Sequence, residues 1–111
     1  MPFYLIHAKP KAQRISQLEE RLLADDFINL KPFGNVLTQS LKQARLDETG
    51  NAWWEEEDYC KPPLREEREA VLDAYFDDIQ FEKVKEGEGW KAISTKPWLF
   101  PIFEEMQKGK G

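Results

Sequence analysis

Trp53-Trp54-Glu55-Glu56-Glu57-Asp58-Tyr59-Cys60-Lys61-Pro62-Pro63 sets three large rings, four successive acids, the only cysteine and two prolines side by side. Such a run suits neither a dry core strand nor a solvated tail, so it is expected to line an edge, a cleft or an interface. In extended form its side chains alternate, so that Glu55 and Glu57 share one face while Glu56 and Asp58 share the other. Carboxylates two residues apart along a strand stand about 6 to 7 Å apart. That spacing suits a divalent cation, or a pair of acids one of which holds its proton. The plainer alternative is a solvated or Arg-paired edge strand whose charges discourage aggregation.

Upstream, Ala44-Arg45-Leu46 and Ala52-Trp53-Trp54 flank the polar loop Asp47-Glu48-Thr49-Gly50-Asn51, the pattern of a hairpin with a five-residue connection. Val36, Leu37, Leu41 and Ala44 suit a helical turn or two before it. A helix over 35–46 followed by one strand is the competing reading. Downstream, Pro62-Pro63 opens a helix whose stripe is Leu64, Val71, Leu72, Tyr75 and Phe76, with Glu66, Glu67 and Glu69 near its positive end.

Farther out, Phe3 to Ala8 reads as a central strand, and Ser16-Gln17-Leu18-Glu19 has the form of a capping box opening an amphipathic helix to about Ala24. Phe27 to Leu30 returns toward the core, and residues 32–35 turn the chain. Ile79 to Glu82 alternates as a strand, with a bulge expected at Val84. Residues 86–89 form a hairpin turn returning through Trp90, Ala92 and Ile93, and residues 97–103 form an extended or broken aromatic segment. The order predicts an α+β fold, a two-layer sandwich of the ferredoxin-like split βαβ kind, with an extra C-terminal hairpin strand. A single domain over 1–96 is followed by an aromatic segment over 97–111 with a flexible polar end.

The charge balance narrows the partners. Net charge is −5, with seven Lys/Arg and six Asp/Glu over 1–48 against nine and fifteen over 49–111. No basic stripe emerges, so neither nucleic acid nor an anionic membrane is expected as a partner. A lone cysteine forms no intrachain disulfide and no cysteine cluster for zinc, so no metal or other cofactor is assigned. The start of the chain shows no secretory leader, and a cytoplasmic location is expected.

The weak candidates for chemistry are His7, Glu55, Glu57, Asp58 and Cys60. His7, as a lone histidine, is a residue type suited to a general base or proton shuttle, but it shows no orienting partner in sequence. Cys60 stands close to a helix start, where a thiol is activated, yet a small buried hydrophobe is the commoner role. Gly87-Glu88-Gly89 is rejected as a phosphate loop, because acids flank it and no helix start is expected after it. The binding candidates are Trp53, Trp54, Tyr59, Arg45, Arg68, Trp98 and Phe100, with Arg68 expected as the buried or half-buried partner of the acids. The C-terminal rings either close the core or dock on a second copy. The expectation is an acidic binding or protein-interaction module that self-associates into a homo-oligomer. A small enzyme with a carboxylate/His or divalent-metal site is the alternative.

Overall fold

The structure, a computed structural model, describes residues 2–109. The expected polar end at Lys110 and Gly111 lies outside that range. Four strands, β1 (Phe3–Pro10), β2 (Arg45–Leu46), β3 (Ala52–Glu57) and β4 (Phe76–Val84), form one antiparallel sheet in the order β2-β3-β1-β4. This is the strand order of the ferredoxin-like split βαβ, so the α+β sandwich expected from sequence is the fold found. The apolar run Phe3–Ala8 occupies a central strand, paired on both sides.

Alternation along β1 and β3 decides which residues see the core. Ile6 opposes Trp54, and Ala8 opposes Ala52; all four are buried in one hydrophobic cluster. Onto this face pack α1 (Ile15–Leu23) through Leu18 and Leu22, α2 (Gly34–Lys42) through Leu37 and Leu41, and Val71 and Leu72, which follow α3 (Arg65–Ala70). The Trp54 indole meets the Phe76 ring at 5.2 Å between centroids. Rings buried this completely each stabilise the fold by about 3–5 kcal/mol relative to alanine. The reverse face carries Leu5, His7, Trp53 and Glu55, and α4 (Glu88–Ile93) lies over part of it.

The hairpin forms as read, with Arg45 opposite Trp53 and Leu46 opposite Ala52. Asp47 closes its loop: one carboxylate oxygen accepts from the N–H groups of Thr49 and Asn51, and the other from the Trp53 indole at 2.7 Å. Burial alone would raise the Asp47 pKa, but these bonds and the Thr49 hydroxyl outweigh it and hold the carboxyl well below its usual range. Gly34 opens α2 where the chain passes the Phe27–Ile28 backbone, and a Cβ there would collide with the Phe27 carbonyl oxygen.

Several expectations give way. Ser16 falls inside α1, which starts at Ile15 without a side-chain cap, so the capping box does not form. The helix after Pro62-Pro63 ends at Ala70. Val71 departs from helical geometry at φ −138°, and the chain runs through a 3-10 turn at Leu72–Ala74 into β4. The β-branched and aromatic residues Val71, Tyr75 and Phe76 all reach the core by this route, as their strand preference favours. The bulge lies where Asp78 adopts φ 53°, opposite the His7–Lys9 step, and not at Val84.

Residues 88–93 are helical, so the return strand expected through Trp90 is absent among the described residues. The C-terminal contribution to the sheet shrinks to one bridge, Trp98 beside Arg45, held by Leu46 N–H to the Pro97 carbonyl and Leu99 N–H to the Ala44 carbonyl, both 2.8 Å. Pro101 then opens α5 (Pro101–Gly109), where its missing N–H costs nothing, and Phe100 and Phe103 enter the core. The C-terminal rings close the chain's own core.

Candidate functional site

The four successive acids divide as alternation requires, but with unequal fates. Glu55, on the reverse face, is buried, and its carboxylate accepts three backbone hydrogen bonds. These come from Gly87 at 2.9 Å, Gly89 at 2.7 Å and Trp90 at 3.3 Å. It therefore occupies the N-terminal end of α4, where a carboxylate complements the unpaired N–H groups. This corrects the expectation that no helix follows Gly87-Glu88-Gly89: one does, and the anion it receives is Glu55. Glu57 stays on the surface and accepts the Tyr59 hydroxyl at 2.8 Å.

On the opposite side, Glu56 and Asp58 point inward, where α3 brings Glu67 to meet them. Their exposures are 2, 3 and 2 per cent. Glu56 takes the Trp54 indole N–H at 3.1 Å through one oxygen, and Asp58 takes the Cys60 backbone N–H at 2.7 Å through one of its own. No N–H, hydroxyl or cationic group among the described residues reaches Glu56 Oε2, Asp58 Oδ2 or Glu67 Oε2. Buried polar atoms are rarely left this way, because each forfeits its hydration. Burial pushes Glu56 up to about 8, with the neighbouring Asp58 adding to the rise against the Trp54 bond. Glu67 is also raised, first by burial, then by a side-chain hydrogen bond with Asp58, across which the two carboxyl groups share a proton, and then by the charges of Glu56 and Asp58.

Asp58 and Glu67, together with Glu57 and Glu66, line a cavity of about 620 Å³ at the end of β3, while Glu56 lies outside its lining. Pro32, Phe33, Val36, Cys60, Lys61 and Arg65 are also part of its lining. The backbone at Leu64 sets this geometry. Leu64 takes a left-handed conformation, φ 69°, while its side chain is fully buried, and α3 begins at the next residue. A non-glycine residue in that conformation costs about 1–2 kcal/mol, which the burial of a leucine offsets.

The remaining sequence candidates lie elsewhere. His7 stacks on Trp53 at 4.5 Å on the reverse face, so a His–carboxylate pair with Asp58 is not assembled. Cys60 precedes α3 by five positions, and burial pushes its thiol up, the opposite of helix-start activation. Arg68, expected as the buried or half-buried partner of the acids, is an exposed residue paired with Asp73 at 3.0 Å. Arg45 lies over the Trp98 ring at 4.8 Å and donates to the Ser94 and Lys96 carbonyls, each at 2.9 Å. Trp53 and Trp98 thus belong to the hairpin edge, Trp54 and Phe100 to the core, and only Tyr59 reaches the surface beside the acids, 65 per cent exposed. No ion pair joins Glu56, Asp58 or Glu67 to a cation among the described residues, so the Arg-paired edge strand is not formed.

Glu67 is the site residue that sequence reasoning passed over as a helix-start acid. Its spacing carried the signal: 64, 67 and 71 recur on one helical face, which places Glu67 in the apolar stripe between Leu64 and Val71. Comparison of the chain with protein-family models, curated proteins and solved structures finds no match. Among the described residues no helix is long and apolar enough to cross a membrane.

Proposed function

We propose that this chain is a small binding module whose acid-floored cavity takes up a positively charged ligand, free or presented by a protein partner. The observation that supports it is the pair of inward carboxyl groups of Asp58 and Glu67, each with an oxygen that no N–H or cationic group reaches, in the lining of a cavity of about 620 Å³. The cost of burying the charged form is what keeps Glu67 protonated, and a cation bound with good geometry displaces the proton and offsets that desolvation cost. Pro32, Phe33 and Val36 add apolar surface to the lining, which strengthens charge interactions beside it.

The test is thermal unfolding of the wild-type and Glu67→Gln chains with divalent metal ions, n-butylammonium, methylguanidinium and their neutral isosteres. At least one cation is expected to raise the wild-type Tm, with no effect from neutral isosteres and a loss of the shift in Glu67→Gln. Equal responses to charged and neutral compounds, or none to any, would remove the basis for a cation site.

Self-association is a second reading, and α5 carries it. Ile102 and Met106 stay exposed there at 43 and 46 per cent while Phe103 is buried in the core. Light scattering at rising concentration should report a dimer that Ile102→Glu disrupts. A wild-type chain that remains monomeric ends this second reading without touching the first.

A further inference from the structure

We propose that Asp58, Cys60 and Glu67 form a three-ligand site for a divalent metal ion of intermediate softness, with zinc the representative. This rests on the acid-floored cavity being a cation site, and it names the cation.

The three side chains each offer one donor atom, and these atoms all lie within 4.8 Å of one another. Zinc holds thiolate sulfur at about 2.3 Å and carboxylate oxygen at about 2.0–2.2 Å, so a small closing movement of the donors brings all three into range. The independent observation is the state of the carboxyl groups. Asp58 and Glu67 are more than nine-tenths buried, and no N–H, hydroxyl or cationic group among the described residues reaches Asp58 Oδ2 or Glu67 Oε2, so only a proton that a metal would displace stands between them. Asp58 uses its other oxygen to hold the Cys60 N–H at 2.7 Å, which fixes the two-residue step between first and second donor. Glu56 stands behind the set, with no donor group reaching its Oε2 either.

The donor chemistry selects among metals. A sulfur ligand disfavours magnesium and calcium, which demand six or more oxygens and keep much of their water. One thiolate with two carboxylates suits zinc or cobalt(II). Three protein donors leave a fourth tetrahedral position, the arrangement that admits water or an external ligand. The adjoining cavity is where such a ligand would enter.

Cobalt(II) titration of the full chain, stripped with a chelator, tests the site, because a thiolate on cobalt gives a charge-transfer absorption that carboxylates alone do not. One cobalt per chain is expected, with that absorption present, displaced by zinc, and absent in Cys60→Ser. Asp58→Asn and Glu67→Gln should each weaken binding by at least about tenfold. If either carboxylate variant fails to fold by circular dichroism, the near-isosteric Cys60→Ser variant still decides the matter. Absence of stoichiometric cobalt binding, or the same absorption in Cys60→Ser, overturns the proposal. Should metals fail while an organic cation still shifts Tm through Glu67, the metal is wrong and the cation pocket stands. If both fail, both fall.

Discussion

Glu55 and Gly89 are joined by a 2.7 Å hydrogen bond from the glycine N–H to the carboxylate, across thirty-four positions of sequence. That bond, with those from Gly87 and Trp90, is what fastens α4 to the reverse face of the sheet. Glu55→Ala is therefore expected to cost about 2–4 kcal/mol in urea unfolding, since charge-assisted bonds contribute about 1.5–3 kcal/mol and three N–H groups lose their acceptor. Gly89→Ala should also destabilise, because a Cβ would stand 2.9 Å from Glu55 Oε1 and 3.2 Å from Leu5 Cδ1. Metal or cation binding at Glu67 should persist in whatever fraction of either variant remains folded.

The hairpin loop makes stability depend on acid. The Asp47 pKa is depressed in the folded chain relative to its ordinary 3.8, so the folded state binds fewer protons than the unfolded one there. Its contribution is present above the ordinary carboxylate range and is lost as pH falls below about 4 toward the folded value. Asp47→Asn keeps an acceptor for Thr49 and Asn51 but turns an amide N–H₂ toward the Trp53 indole N–H. It should cost about 1–2 kcal/mol at pH 7, and the gap to wild type should narrow at pH 3 in paired denaturation curves.

The C-terminal helix belongs to the core, which separates it from a detachable tail. Phe103→Ala should destabilise by about 3 kcal/mol or more, as expected for a buried ring. The measurement is the midpoint of chemical denaturation at constant m-value. A shift below about 1 kcal/mol would show that α5 docks weakly.

Arg45 works as a planar clamp. Its guanidinium lies over Trp98 and donates to two carbonyls of the segment after α4. Arg45→Lys retains the charge but loses the plane and the paired donors, so it should cost about 1–2 kcal/mol, nearly as much as Arg45→Gln. Unfolding of the two variants side by side reads this directly. A lysine variant as stable as wild type would mean that charge alone suffices.

The sheet was legible because Phe3–Ala8 is a nearly continuous apolar run suited to a central strand, because the side chains of an extended Trp53–Asp58 must alternate with period two, and because Asp47–Asn51 has the chemistry of a hairpin loop. The split of the acids onto two faces followed from the same period. What stayed hidden was set by contacts between distant segments. Nothing local announces that Glu55 will receive the backbone at 87–90, so Trp90–Ile93 read as a strand although it coils. Arg68 offered a plausible charge partner in sequence, but one helix position decides its side, and that position faces Asp73. Glu67 was hidden for the converse reason: a glutamate on an apolar stripe is costly, and general expectation moves it to the surface.

Leu64 ties the interior and the cavity to a single side chain. Glycine there would relax the left-handed backbone but empty a slot at the centre of the packing, whereas any other large apolar residue would fill the slot and inherit the same torsion. The placement of Glu67 is thus hostage to a residue that never touches a ligand. A search for improved stability at this position should find no substitution that gains on both counts.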